Sequence, residues 1–140
     1  MSMQGIFGRR EVDVPQKSRY YPNQVTHMIE QQLLDFIKQA IDDDEYAIRS
    51  HAVQHAVEEG FTEESIVEAI QNAKILEWYE EEQRCLLVGR FQITFKMKEY
   101  LHIVVDYWIE DTESQWIDIV TAYIPRRPHW ETSTRRGKKR

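Results

Sequence analysis

The sequence contains little of what several common kinds of site require. Cys85 is its single cysteine, which excludes an internal disulfide, and the five glycines are scattered instead of forming a phosphate-binding loop. No apolar run approaches the roughly 18 residues that a membrane-spanning helix needs. Residues 1–16 also lack the apolar stretch and the small-residue cleavage site of a secretory signal. The simplest expectation is a cytoplasmic protein without membrane contact.

Charge is distributed unevenly along a chain whose net charge is −6. Residues 28–83 contain fifteen acidic and three basic residues, whereas residues 126–140 contain seven Lys or Arg and one Glu. A basic segment on an acidic body can hold a nucleic-acid backbone. It can equally fold back on the acidic helices or serve only to keep the chain in solution.

The 140 residues, of which 41% are hydrophobic, are enough for one domain with a buried core. Residues 1–22 mix Gly, Pro and Arg without periodicity, so we expect a flexible N-terminal arm there. Residues 23–131 carry regular hydrophobic patterns and are expected to form a single α+β domain. Residues 132–140 are expected to be a disordered basic tail.

Apolar residues recur at helical spacing in three segments, which we predict to be helices: residues 23–43, 51–59 and 63–73. Residue types that commonly cap helix N-termini stand at the start of the first segment, Asn23, and directly before the other two, Ser50 and Thr62. Gly60 fits the left-handed position that ends the second helix. The three aspartates at 42–44 oppose the helix macrodipole and should end the first helix.

After Asn72 the pattern becomes typical of β-strands, rich in β-branched and aromatic residues. Four such segments follow one another without helices between them: residues 75–81, 84–95, 100–110 and 115–124. They predict an antiparallel meander, and residues 46–50 predict a further short strand. The expected fold is therefore α+β, with the helices on one face of a twisted antiparallel sheet.

Alternation within the last two long strands predicts which side chains face the helices. In the third strand of the meander, Leu101 and its apolar neighbours should pack under the helices, leaving His102 and Asp106 on the opposite face. That face is either an open active surface or an ordinary exposed sheet face with satisfied polar groups. In the fourth strand, strict alternation places Ile117, Ile119, Thr121 and Tyr123 on one side. It places Trp116, Asp118, Val120, Ala122 and Ile124 on the other.

His51 and His55 lie four residues apart on one helix face, a spacing that can bind zinc. Ala52 stands where the zinc-protease pattern requires Glu, and no CxxC pair or third histidine completes a ligand set. The sequence therefore predicts no metal site and no cofactor. An ordinary amphipathic helix explains the pair, although His51 at the helix start remains a candidate general base.

An aromatic and basic cluster follows the last strand: Tyr123, Arg126, Arg127, His129 and Trp130. Guanidinium groups bind phosphates and aromatic rings stack on bases, so this composition suits single-stranded RNA. The predicted nucleic-acid-binding residues are Arg126, Arg127 and Trp130, with Arg135 and Arg136 in the basic tail. The alternative is that Trp130 packs back against the helices.

Five motifs occur in an order that resembles a known family: "SHAVQHAVEEGFTEESIVEAI", "ILEWYEEEQRCLLVGRF", "YLHIVVDYW", "DIVTAYIP" and "PHW". Over residues 46–131 the chain resembles the domain-of-unknown-function family numbered 4258, which looks related to RelE/MqsR-like toxins of the barnase–EndoU–colicin–RelE fold. The resemblance implies two helices on an antiparallel sheet, with helix 23–43 as an extra N-terminal element.

The better-known relatives that this resemblance points to are metal-independent ribonucleases, often paired with an antitoxin. It implies a toxin-type endoribonuclease that cleaves single-stranded RNA by acid–base catalysis. Its expected catalytic residues are His51 or His102 as the base, Arg90 as the phosphate clamp and Tyr123 as an acid or orienting group. The alternative is a RelE-like fold without activity that binds a partner protein. The acidic Glu58, where the family is expected to carry basic residues, favours that alternative.

Overall fold

The computed structural model describes residues 28–111, 114–126 and 130–137. In chain order, its helices are α1 Glu30–Asp42, α2 Ser50–Glu59, α3 Glu63–Gln71 and a short 3-10 helix Glu80–Glu82. Its strands are β1 Tyr46–Ile48, β2 Lys74–Tyr79, β3 Arg84–Gln92, β4 Lys98–Asp111, β5 Ser114–Tyr123, β6 Trp130–Thr132 and β7 Arg135–Arg136. The predicted arm 1–22, the Asn23 cap and Arg127 lie outside the described residues.

Five strands form the main sheet in the order β1-β5-β4-β3-β2. Strands β2 to β5 form the predicted antiparallel meander. The predicted short strand is also present, but it runs parallel to β5, with Tyr46 opposite Ile117. Because these two residues are far apart in the chain, only the tertiary fold determines this pairing. The predicted α+β class is confirmed.

Helix ends agree with the sequence where a side chain caps the backbone. Thr62 caps α3 as predicted, since its hydroxyl accepts a hydrogen bond from the Ser65 amide at 3.3 Å. Gly60 follows α2 with φ of 85°, the left-handed conformation predicted for it. Helix α3 ends at Gln71, two residues before its predicted end.

Two predicted helix starts are wrong. Residues 28 and 29 precede α1, which begins at Glu30 instead of continuing from residue 23; the Gln32 side chain accepts the Ile29 amide hydrogen at 3.0 Å. Helix α2 already includes Ser50, and Arg49 in extended geometry occupies the cap position. This shift by one residue matters because it places Arg49 at the N-terminus of α2.

The three helices α1 to α3 pack on one face of the sheet and enclose the main core, as predicted. Strand β4 contributes Leu101, Ile103, Val105 and Tyr107 to this core, which is the predicted inward set. Ala69 of α3 packs closely over Gly89 of β3, because a Cβ built on that glycine would lie 1.9 Å from the Ala69 carbonyl oxygen. We call the opposite side of the sheet the outer face.

Strand β5 departs from the predicted alternation because it contains a β-bulge. Val104 lies opposite Thr121 whereas Val105 lies opposite Ile119, so Val120 is an extra residue. The bulge reverses the faces of the residues that follow it. Ala122 therefore joins the helix-side core, and Tyr123 turns to the outer face opposite His102. The prediction that Thr121 and Tyr123 share a face with Ile117 is wrong for this reason.

Strands β6 and β7 form a hairpin that covers part of the outer face. Trp130 lies opposite Arg136 in this two-stranded sheet, and the Trp130 ring contacts His102. The predicted disorder of residues 132–140 is therefore wrong for residues 132–137, while residues 138–140 lie outside the described part of the chain. The hairpin gains order by covering apolar and aromatic groups that the sheet would otherwise expose.

Candidate functional site

An open pocket of about 440 Å3 lies on the outer face where α2 begins. We call it the α2 pocket. Its lining comes from the start of α2, from β3 and β4, and from the bulged part of β5: Arg49, Ser50, His51, Arg84, Asp106, Val120 and Thr121. The parallel pairing of β1 with β5 brings the start of α2 to this position, because Arg49 directly follows β1 and its amide donates to the Ile119 carbonyl at 3.0 Å.

A partly buried ion pair forms one wall of the α2 pocket. Arg49 Nε donates to Asp118 Oδ2 at 2.8 Å, and Arg49 Nη2 makes a second, short contact with the same oxygen. Asp118 is only 1% exposed. Burial raises the pKa of the Asp118 carboxyl, and the Arg49 guanidinium acts in the opposite direction. The carboxylate therefore holds the guanidinium in place at the pocket.

A second ion pair forms the facing wall. Arg84 Nε and Nη2 bind the two Asp106 oxygens at 2.6 and 3.0 Å, a bidentate geometry. These hydrogen bonds raise the pKa of Arg84. Asp106 lies opposite Arg84 on one side and opposite Asp118 on the other. The register thus produces a row of four charged groups, Arg49–Asp118–Asp106–Arg84, in which the two carboxylates are neighbours and a guanidinium stands at each end.

The α2 pocket can accept an anion that is large enough to touch both guanidinium groups. Each guanidinium carries five N–H donors and uses its Nε and one Nη on its carboxylate, so the other Nη remains for a ligand. The first amide groups of α2 add donors, because the earliest bond within the helix is from Val53 to the Arg49 carbonyl. His51 is exposed and stacks on His55 with ring centroids 4.8 Å apart. Phosphate is one anion whose oxygens accept hydrogen bonds from such donors.

In the second candidate group, His102 is closed to solvent and Tyr123 is partly exposed. His102 is 0% exposed, and its Nδ1 lies 3.3 Å from the Tyr123 hydroxyl. Its Nε2 lies 2.6 Å from the Ser133 carbonyl oxygen, which can only accept, so Nε2 carries a proton. Burial lowers the pKa of His102 and raises that of Tyr123. Burial thus favours the neutral imidazole, and with the proton on Nε2 its Nδ1 can accept from the Tyr123 hydroxyl.

The β6–β7 hairpin holds this pair under cover through aromatic and ionic contacts. The Trp130 ring meets His102 edge-on with centroids 4.3 Å apart, and the Arg136 guanidinium lies 4.5 Å from the Trp130 ring centre. Arg136 also binds both carboxylate oxygens of Glu77 on β2, at 2.7 and 2.8 Å. The Arg136 hydrogen bond lowers the pKa of Glu77. The expectation of an open active surface around His102 is therefore wrong.

The hairpin also changes the predicted nucleic-acid-binding set. Trp130 is 3% exposed, so it presents no free face to a base, whereas the Arg136 side chain is 56% exposed although its Nε and Nη2 bind Glu77. Trp130 packs on the outer face, so the alternative that it packs against the helices is also wrong. Arg126 and Arg135 are exposed.

The four predicted catalytic residues do not form one cluster. His102 and Tyr123 are in contact, whereas His51 belongs to the α2 pocket. Arg90 is exposed on β3 opposite Tyr100, beyond the row that holds His102. Thr121 of the pocket and Tyr123 are two residues apart on one strand face, about 7 Å. The structure thus separates a pocket around His51, a covered pair at His102 and an exposed arginine.

Sequence reasoning missed the residues that give the α2 pocket its charge: Arg49, Arg84 and Asp118. Arg84 and Asp106 stand in adjacent predicted strands, and their pairing follows once the register is known. Arg49 and Asp118 are 69 residues apart, and no local pattern indicates that they meet. The one local signal was the basic residue Arg49 next to the predicted cap, Ser50.

Two negative findings concern the described residues alone. Among them, no three His, Cys, Asp or Glu side chains are grouped closely enough to hold a metal ion. None of the helices in this part of the chain has the length and apolar character needed to cross a membrane.

The fold and the α2 pocket together define a small α+β domain in which two helices precede a four-stranded antiparallel meander. The chain belongs to the family described as "Domain of unknown function (DUF4258)", whose model matches residues 48–124, more than half of the sequence. The matched range contains the whole α2 pocket and Tyr123 but neither α1 nor the β6–β7 hairpin. The predicted family is confirmed. No curated protein and no solved structure gave a match.

Proposed function

We propose that this protein is a RelE-like, metal-independent endoribonuclease that cleaves single-stranded RNA in the α2 pocket. The observation that carries the proposal is the composition of this pocket, where an exposed imidazole and two guanidinium groups line one open cavity. His51 is the proposed base, and Arg49 and Arg84 bind the scissile phosphate. This assignment keeps the predicted His51 and replaces Arg90 as the phosphate clamp.

The proposed reaction is an internal displacement at phosphorus. His51 removes the proton of a ribose 2′-hydroxyl, and the resulting oxygen forms a bond to the adjacent phosphorus as the bond to the 5′-oxygen breaks. The departing 5′-oxygen takes a proton from the imidazolium or from water. The free Nη donors of Arg49 and Arg84 stabilise the charge that develops on the non-bridging oxygens. The products are a 2′,3′-cyclic phosphate and a 5′-hydroxyl.

Asp106 and Asp118 have a positioning role in this proposal. Each carboxylate fixes one guanidinium on the outer face, so that the remaining N–H donors are already oriented when RNA arrives. Because both pairs are at least partly screened from water, losing one carboxylate should displace its arginine. His102 and Tyr123 support the shape of β4 and β5 beside the pocket and need not touch RNA.

The test is incubation of the purified 140-residue chain with labelled single-stranded RNA in the presence of EDTA. We expect cleavage products that end in a cyclic phosphate, and a rate reduced about 10²–10⁴-fold in His51→Ala. Arg84→Lys keeps the charge but loses the bidentate geometry, so it should also slow cleavage. Gln54→Ala, an exposed change on α2 outside the pocket lining, is the matched control. Equal cleavage by wild type and His51→Ala would reject the proposal.

A second candidate function is a non-catalytic domain that binds a partner protein. The observation that favours it is that Arg49 and Arg84 already hold carboxylates, which reduces the positive charge available to RNA. A wild-type chain that fails to cleave RNA, does not inhibit growth on expression and forms a stable stoichiometric complex with one partner would support this candidate. Growth inhibition that is lost in His51→Ala would support the nuclease, with an antitoxin as the expected partner.

A further inference from the structure

The end of the outer face farthest from the α2 pocket is basic. Lys74 on β2, Arg90 on β3 and Lys98 on β4 are all exposed there. Within the described ranges, none of these three side chains forms an ion pair. In the same chain, whose net charge is −6, the outer-face residues Arg49, Arg84 and Arg136 are all bound to carboxylates.

The strand register places these cations on the same side of the sheet. Lys74 lies opposite Val88, Arg90 opposite Tyr100 and Lys98 opposite Gln92. Val88 is the partner of His102, so alternation puts all three on the outer face. Glu99 alternates to the helix side and adds no negative charge here. Because neighbouring strands lie about 4.8 Å apart, the three cations cross roughly 10 Å of sheet.

Exposed aromatic groups accompany this charge. Tyr100 is 41% exposed, and the Arg90 guanidinium lies 5.6 Å from the centre of its ring. Phe95 is 90% exposed in the turn between β3 and β4, next to the exposed Lys96. Alternating cations and aromatic faces can hold the phosphates and stack the bases of one nucleic-acid strand. We call this surface the basic end, and it consists of Lys74, Arg90, Phe95, Lys96, Lys98 and Tyr100.

We propose that the basic end binds single-stranded RNA outside the cleavage pocket and that Tyr100 stacks on a base. This inference rests on the proposed function, because the RNA bound at the basic end is the same molecule that is cleaved in the α2 pocket. Charge favours this occupant, since unpaired cations on an acidic protein attract a polyanion. From Asp106 in the pocket to Tyr100 is six residues of β4, about 20 Å, so one strand has to pass beside the β6–β7 hairpin to reach both.

Fluorescence anisotropy of a labelled single-stranded RNA at several salt concentrations tests this inference. All proteins carry His51→Ala, so that cleavage does not disturb the binding curves. Adding Arg90→Ala and Lys98→Ala should lower the slope of log affinity against log salt by about 1.4, because each single-strand phosphate contact contributes about 0.7. Tyr100→Ala should weaken binding roughly ten-fold at constant salt. The control Lys38→Ala removes one positive charge from α1, away from this surface. It should change neither the salt slope nor the affinity at constant salt.

The outcomes separate this inference from the proposed function. Wild-type RNA cleavage together with unchanged binding by the basic-end variants would overturn the inference and leave the nuclease standing. Binding that depends on the basic end in a chain that never cleaves RNA would support the inference and reject the nuclease. If the Arg90 and Lys98 changes alter the oligomeric state in sedimentation while RNA affinity stays constant, the surface joins copies of the chain and the inference is wrong. The affected side chains are exposed, so the variants should keep the wild-type melting temperature.

Discussion

Replacing Trp130 with alanine tests whether the β6–β7 hairpin is an integral part of the fold. The indole is 3% exposed, and it contacts His102 on one side and Arg136 on the other. Trp130→Ala removes both contacts and leaves a space above His102. The Arg136–Glu77 ion pair and the contact of the Ser133 carbonyl with His102 would still link the hairpin to the sheet.

The expected loss of stability follows from the burial of the indole. Truncating a buried tryptophan to alanine costs about 3–5 kcal/mol. The hairpin can detach without unfolding the main sheet, which limits the loss, so we expect a decrease of about 3 kcal/mol in the free energy of unfolding. For a chain of this length, that corresponds to a melting temperature lowered by roughly 10 °C.

The same change should alter the titration of His102. Burial lowers the pKa of this imidazole below its ordinary value of 6.5, so in the wild-type protein the neutral form is favoured by folding. The folded state then binds fewer protons than the unfolded state, and this contribution to stability is complete above pH 6.5 and lost as pH falls through the folded pKa. In Trp130→Ala, the pKa should rise toward 6.5 and the loss of stability in acid should become smaller.

Thermal unfolding at several pH values and an NMR titration of the His102 ring measure these effects. Phe95→Ala is the matched control, because Phe95 is 90% exposed and its removal should change stability by less than about 0.5 kcal/mol. A Trp130→Ala protein that melts within about 1 °C of wild type, with an unchanged His102 titration, would show that the hairpin is not docked. Residues 132–137 would then be disordered, as the sequence suggests.

Two further predictions concern the core. Gly89→Ala should destabilise the protein by about 3 kcal/mol or more, because the new Cβ would meet the Ala69 carbonyl oxygen. In the control Gly60→Ala, the new Cβ meets no atom within 4 Å, so the change should cost only about 1–2 kcal/mol for the left-handed backbone. Equal urea midpoints for the two variants would contradict this prediction. The Cys85 thiol should resist a thiol reagent at pH 8 until the protein unfolds, since burial raises its pKa to about 12; rapid labelling of the native protein would show that β3 is open to solvent.

The candidate site was only partly predictable from the sequence. His51 was identified because a histidine at a helix start is a local feature. Its arginine partners were not, since Arg84 and Asp106 meet only once β3 and β4 are in register. The contact of His102 with Tyr123 was expected as part of a larger cluster, but strict alternation placed Tyr123 on the wrong face. In the structure, the extra residue Val120 reverses the alternation, so Tyr123 lies on the same face as His102.

Short-range patterns determined most of the secondary structure. Helical spacing marked α1 to α3, Thr62 and Gly60 marked the junction of α2 and α3, and alternation marked the core face of β4. These features depend on steric and hydrogen-bonding preferences of residues a few positions apart, which a sequence displays directly.

The tertiary structure alone decided three things: the parallel placement of β1 beside β5, the bulge at Val120 and the folding of the hairpin over His102. Each depends on which distant segments of the chain pair at the same sheet edge or cover the same apolar surface. That choice is settled by register and burial, so the α2 pocket exists only in the folded sheet.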